Sequence, residues 1–471
     1  MQEILLNIVA KANAYLSDYI LIILLIGVGL FFSIKTRFVQ VRCFGEGMKQ
    51  VFGNLKLSGG KHKSGISSFQ ALATAIAAQV GTGNIVGASG AILIGGPGAI
   101  FWMWVIAFLG MATIYAEAVL AQETRIKDEN GEIHGGPVYY IKKAFPNGFG
   151  TFLSVFFAIA AVLALGFMGS MVQSNSIAET CNTAFGIPVW VMGVVVAVIS
   201  AFIFLGGVQR LASVTEKMVP FMALLYLVGG LVILCIRVKF IPETFGMIFK
   251  YAFTPSALIG GGIGYALKTA ISQGAKRGLF SNEAGMGSTP HAHAMANVAK
   301  PHDQGTAAMI GVFIDTFVVL TMTALVVISC LYVGNGPLAG LTGDAYVAAT
   351  SGAEAIVSKT TAMQMAFSRA IGSSAFGNGF IAICLFFFAL STIIGWNFFG
   401  KINAQYLTKN KKAGVILYAV ISIAFIFTGS ILSNDLVWEL TDFFNYLMVI
   451  PNAIALVALY KVVAKAAKKD K

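Results

Sequence analysis

Long apolar runs alternate with short polar connections along almost the whole chain. Runs able to cross a hydrocarbon core roughly 30 Å thick lie near residues 18–34, 66–95, 98–121, 151–173, 188–208, 215–236, 260–295, 304–333, 372–398, 413–432 and 436–460. The pattern predicts an all-α polytopic membrane protein with 11 transmembrane helices. The second and seventh runs differ from the rest, being longer and interrupted by glycine and polar residues. In Ala78–Val105, AQVGTGNIVGASGAILIGGPGAIFWMWV, no residue is charged, yet glycine and proline, the two poorest helix formers, recur throughout.

Composition agrees with this reading: 57% of the 471 residues are hydrophobic and 11% charged, against about 25% charged in an average soluble domain. The net charge of +12 does not form a basic patch interleaved with base-stacking aromatics, so no nucleic-acid partner is expected. Sorted by alternate sides of the predicted spans, 23 lysines and arginines fall on the side of the 35–63 loop and six on the other. The bias places the N-terminus outside and the C-terminus in the cytoplasm of a multi-pass protein of the cell membrane. Cys43, Cys181, Cys235, Cys330 and Cys384 show no metal or disulfide spacing. The amphipathic opening MQEILLNIVAKANAYLSDY lacks the form of a cleavable signal peptide.

No linker divides the chain, which reads as one transporter domain over 1–471. A short echo organises it: ALATAI at 71–76 and ALKTAI at 266–271 share five of six residues. Each copy precedes the interruption in one of the two unusual runs, and these two runs cross in opposite directions. A leading helix (18–34) followed by two groups of five spans (about 66–236 and 260–460) with opposite topology is the pattern of an inverted-repeat transporter, whose binding site lies at the interruptions.

The interruptions have a physical use. Backbone groups freed at Gly81-Thr82-Gly83-Asn84 cannot remain unpaired in lipid and must face a protein-lined cavity. The half-helix that ends there presents carbonyls and the half that restarts presents N–H groups. One gap can therefore hold a cation on one side and a carboxylate on the other, with glycine permitting close approach. The second interruption, within GAKRGLFSNEAGMGSTPHAHA (274–294), offers carbonyls suited to a ligand ammonium group. Other polar residues inside apolar runs are candidates by position: Gln79, Gln173, Asp315, and Ser391 with Thr392, whose hydroxyls suit an alkali cation. Trp396 follows that hydroxyl pair by about one turn.

Plainer readings compete at several positions. Gly87, Gly90 and Gly95 suit close helix packing, and Ser391 and Thr392 can bond back to their own helix. Glu117, near the inner end of the third span, reads as an interfacial or packing residue. His291 and His293, two apart, diverge on a helix and do not suggest a metal site. GTGNIVG lacks the spacing and preceding strand of a nucleotide loop. An enzyme would need a paired acid/base or metal constellation, and a channel a filter or rings of charge; neither is visible.

GTGNIVG followed by GGPGAIFWMW, together with RGLFSNEAGMGSTPHAHA, closely resembles the sodium:alanine (alanine or glycine:cation) symporter family, over essentially the whole chain. The resemblance implies the leucine-transporter fold, with helices two and seven interrupted, and uptake of alanine or glycine together with sodium. By that likeness Thr82, Gly83 and Asn84, with Gln79 nearby, meet the substrate carboxylate, and Ser281 and Asn282 its ammonium end. Gln173, Phe167, Met171 and Trp396 shape a tight pocket. Sodium lies between carbonyls of Gln79, Val80 and Gly81 and the hydroxyls of Ser391 and Thr392. Proton coupling through Asp315 or Glu117 is the alternative within transport.

Overall fold

The computed structural model describes residues 2–53, 66–127, 133–204, 207–260, 262–351 and 355–468. The lysines at 56, 61, 63, 469 and 471, counted above in the charge bias, lie outside the described residues. Helices occupy all the predicted positions: α1 (Gln2–Lys35), α3 (Ser68–Gln79) with α4 (Gly83–Gly95), α5 (Ala99–Thr124), α6 (Gly148–Phe185), α7 (Val189–Phe204), α8 (Arg210–Ile236), α9 (Ile263–Asn282) with α10 (Pro290–Ala294), α11 (Pro301–Leu331), α12 (Ser374–Leu407), α13 (Lys412–Ile431) and α14 (Asn434–Ala458). A short helix, α2 (Phe44–Phe52), follows α1. Eight of these helices are long and apolar enough to cross a membrane, and α3 with α4, bent by 47° at a break, makes a ninth. The molecule is an all-α polytopic membrane protein.

Two helices outrun their hydropathy, for the same reason. α1 begins at Gln2 rather than near 18, because its amphipathic start lies on α14: Asn13 Nδ2 donates to Glu439 Oε2 at 2.6 Å and to Glu439 O at 2.8 Å. α6 continues to Phe185 because Ser170, Gln173, Ser174, Asn175, Ser176 and Thr180 are buried against protein, not lipid. A hydropathy window reads such residues as the end of a span, whereas a polar face turned inward can be satisfied by neighbouring helices. At the start of α3 a capping box fixes the entry: Ser67 Oγ accepts from Gln70 N and Gln70 Oε1 accepts from Ser67 N, each at 3.1 Å.

The broken helices run through the middle of the bundle. α9 packs on α5 and α4, α3 packs on α8 and α12, and α6, α11 and α12 close around them. The three cations within the seventh run are all paired. Lys268 and Lys276 approach Asp18 of α1 at 3.0 and 3.7 Å, and Arg277 meets Asp442 of α14 at 3.0 Å while lying over the Trp438 ring at 4.6 Å. The last pair is almost wholly buried, so Asp442→Asn should leave a guanidinium stranded and destabilise the protein by about 3–5 kcal/mol. A lowered melting temperature in detergent would register this, and the double variant Arg277→Met/Asp442→Leu is expected to recover most of it.

Candidate functional site at the two helix breaks

The first break is shorter than the sequence suggests, and side chains hold it open. Val80 (φ −80, ψ 89) carries the chain out of α3. Only Val80 and Gly81 leave the helix; Thr82 is already helical (φ −59, ψ −25), and Gly83 and Asn84 belong to the π-helical first turn of α4. In a continuous helix the N–H of Gly81 would bond Ala77 O and that of Thr82 would bond Ala78 O. Here Gly81 N donates instead to Asn84 Oδ1 at 3.0 Å, and Thr82 N to Gln173 Oε1 at 3.1 Å. Two carbonyls at the end of α3 thereby lose their helical donors.

The hydroxyls of α12 meet one of them. Ser391 Oγ and Thr392 Oγ1 each lie 3.1 Å from Ala77 O and also donate back to Phe388 O. Gly81 sits against the same hydroxyl: a Cβ placed there would lie 2.2 Å from Thr392 Oγ1 and 3.2 Å from Gln173 Oε1. The structure thus places Gly81 beside Thr392, with Ser391 next to it. It adds Ala77, whose carbonyl faces the hydroxyl pair.

α9 ends at Asn282, and Glu283, in the left-handed conformation (φ 59), turns the chain into the 284–289 segment before α10. The two breaks touch. A Cβ on Gly83 would lie 3.0 Å from the Phe280 ring and 3.1 Å from Ser281 Cα, so glycine there permits the close approach of α9. Gln79 Nε2 donates to Asn282 O at 2.7 Å. Asp315 of α11 joins both breaks: its Oδ1 accepts from Asn84 Nδ2 at 2.6 Å, and its Oδ2 from Ser281 Oγ at 2.8 Å and Thr316 Oγ1 at 2.9 Å. Asn282 Nδ2 donates to Thr316 Oγ1 at 3.2 Å.

Around the first break, three buried polar atoms have no hydrogen-bond partner among the described residues: Thr82 Oγ1, Gln173 Nε2 and Gln79 Oε1. Burying such groups unpaired costs roughly 1–3 kcal/mol each. Two can donate, which suits a carboxylate, and one accepts, which suits an ammonium group or a cation.

Phe167 and Met171 stand elsewhere. Phe167 stacks between Tyr418 and Phe425 of α13, at 5.6 and 5.0 Å, and Met171 lies against Gly429 of the same helix. Both lie against α13, whereas the resemblance implies that they line the pocket. Trp396 is buried beside the second break. Its Nε1 donates to Glu283 Oε1 at 2.5 Å, and its ring packs edge-on against Phe280 at 5.5 Å and over Gly169.

Two buried carboxylates belong to the second break. Glu283 also accepts from Ser288 Oγ. Glu117, expected at an interface or in packing, is wholly buried and accepts Gly285 N at 3.1 Å, Gly287 N at 2.9 Å and Asn452 Nδ2 at 2.6 Å. It therefore holds the turn of the second break to α14. His291 and His293 take separate partners, Asn403 at 2.9 Å and Gln304 at 2.8 Å.

An all-helical membrane bundle with two broken helices, joined through buried carboxylates and amides, has the build of a membrane transporter with a polar centre. The chain belongs to the sodium:alanine symporter family, whose model it matches over residues 1–470. It is 40% identical over 463 residues to the sodium/alanine symporter AgcS of Methanococcus maripaludis, covering 98% of this chain and 96% of that one. It is 40% identical over 460 residues to the putative sodium/proton-dependent alanine carrier protein YrbD of Bacillus subtilis (97% and 90% covered). To the probable sodium/glutamine symporter GlnT of the same organism it is 38% identical over 468 residues (99% and 91% covered). It is a transporter rather than an enzyme, of a family devoted to cation-coupled amino-acid transport.

Proposed function

We propose that this protein couples sodium entry to uptake of a small neutral amino acid, alanine or glycine, by alternating access between two inverted five-helix repeats. The observation that carries the reading is the first break. Asn84 and Gln173 take the N–H groups of Gly81 and Thr82, so α3 ends in carbonyls without their helical donors, one of them, Ala77 O, against the Ser391 and Thr392 hydroxyls, an all-oxygen set suited to sodium. The substrate carboxylate pairs with Thr82 Oγ1 and Gln173 Nε2, and its ammonium group with Gln79 Oε1, Asp315 and the carbonyl end of α9. Phe280 and Trp396 close over this centre, which favours a small side chain.

The helix contacts support the repeats. Exchanging spans between the two groups turns α5 on α9 into α11 on α3, α6 on α14 into α12 on α8, and α6 on α13 into α12 on α7, and each of these pairs is in contact. With the termini oriented as the cation bias suggests, sodium enters down both its gradient and the membrane potential. About 2.3 kcal/mol per 100 mV and about 1.4 kcal/mol per tenfold gradient together drive accumulation of a few hundredfold for one ion.

Proton coupling through Asp315 or Glu117 is the second reading, favoured by their complete burial at the two breaks. Thr392→Val distinguishes it. The substitution keeps the shape and removes one sodium ligand, so the sodium concentration for half-maximal alanine uptake should rise about tenfold, or ~1.4 kcal/mol, with uptake at saturating sodium largely retained. An unchanged sodium dependence would remove the ion from this position.

A further inference from the structure

Away from the breaks, three ligand-bearing side chains converge where α2 meets the start of α11. Cys43 precedes α2, Glu46 lies in its first turn, and His302 lies in the first turn of α11. The Cys43 Sγ, a Glu46 carboxylate oxygen and a His302 ring nitrogen all lie within 4.8 Å of one another. We propose that Cys43, Glu46 and His302 form a transition-metal site, of the class that takes zinc, which ties α2 to α11 and slows transport when filled.

Three independent features support the site. The first is spacing: His302 Nε2 and Glu46 Oε2 are 3.3 Å apart, and two ligands on a tetrahedral ion with bonds of about 2.0–2.1 Å stand roughly 3.3–3.4 Å apart. Cys43 and Glu46, three apart, project to one side of a helical turn, so closing the triad needs only a small inward movement of the thiol. The second is the outer shell: Tyr115 Oη lies 2.8 Å from His302 Nδ1, the partner on the far ring nitrogen that orients a metal-bound imidazole. A simple surface ion pair between Glu46 and His302, worth up to about 1 kcal/mol, would require neither this tyrosine nor the cysteine.

The third is access. Cys43 is buried, but Glu46 and His302 line a cleft on the lysine-rich face together with Glu123, Lys300, Asp303 and Lys465. An ion can enter from that face, and water can complete its shell. Thiolate, imidazole and carboxylate together suit zinc or cobalt and not sodium or magnesium.

The tie has a mechanical consequence. α2 lies along α11, with Gly47 against Thr306 O and Ile310, and the Phe44 and Phe313 rings meet at 4.9 Å. α11 carries Asp315, the residue that holds both breaks. A metal fixing α2 to α11 restrains the helix that must move with the site.

Cobalt titration of the purified full chain in detergent tests the site directly. One equivalent should give a cobalt–thiolate charge-transfer absorption that is absent in Cys43→Ser. His302→Ala should weaken binding at least tenfold, as should Tyr115→Phe, in line with the 10–100-fold effects of outer-shell partners. Zinc added to the lysine-rich face of proteoliposomes should slow uptake by the parent protein and not by Cys43→Ser, whose uptake without zinc is unchanged. Absence of the thiolate band in the parent, or equal cobalt affinity in parent and His302→Ala, would overturn the proposal. Because binding is read without transport, that result leaves the assignment of alanine and sodium untouched.

Discussion

Replacing Asp315 with asparagine is expected to reduce sodium-driven alanine uptake at least a hundredfold while the protein still purifies as a folded species. The carboxylate accepts from Asn84 on one oxygen and from Ser281 and Thr316 on the other. An amide of the same shape has one oxygen and one NH2, so it points a donor at one of these donors and loses the charge. Each hydrogen bond to a charged group contributes about 1.5–3 kcal/mol, and a loss of ~2.7 kcal/mol is a hundredfold. The damage spreads, because Asn84 held by Asp315 is what takes the Gly81 N–H and keeps Ala77 O out of the helix. Alanine/alanine exchange should therefore be lost along with net uptake. Retained exchange with lost accumulation would instead mark Asp315 as a proton carrier.

The second large effect is expected at Gly81. In Gly81→Ala the new methyl would stand 2.2 Å from Thr392 Oγ1 and 3.0 Å from Thr392 Cβ. Relieving that overlap pushes α12 away from the end of α3, and overpacking of this kind costs about 1–3 kcal/mol. The variant should melt lower and take up alanine at least a hundredfold more slowly. Adding Thr392→Ala should restore the melting temperature, since it removes the obstructing oxygen, but restore uptake only at raised sodium, since that oxygen is a sodium ligand. Recovery of both with an unchanged sodium requirement would show that Gly81 and Thr392 matter only for packing.

The position of the break was legible in GTGN because glycine beside polar residues inside an apolar run has no other comfortable place in a membrane. Ser391 and Thr392 were legible for the same reason. The particular carbonyl they meet was not. It depends on which N–H groups leave the helix, and that is decided by Asn84 in the next turn and by Gln173 on another helix. Phe167 and Met171 were placed at the pocket by resemblance alone, although helix geometry bears on them. Four residues apart, they share a face, whereas Met171 and Gln173, two apart, point about 200° away from each other. If Gln173 faces the break, the other two face α13. Glu117 was read as an interfacial or packing residue or a proton carrier, and Glu283 was not singled out, because each lies at the edge of a polar stretch, where a buried carboxylate and an interfacial one read alike. Only the packing of α14 and α12 against them, through Asn452 and Trp396, shows that both are enclosed.

Uptake of labelled alanine into proteoliposomes under one imposed gradient at a time tests the central claim most directly. An inward sodium gradient at equal pH on both sides should drive accumulation above equilibrium, and Asn84→Ala should abolish it. Accumulation driven by a pH gradient with choline in place of sodium, or normal uptake by Asn84→Ala, would contradict the account.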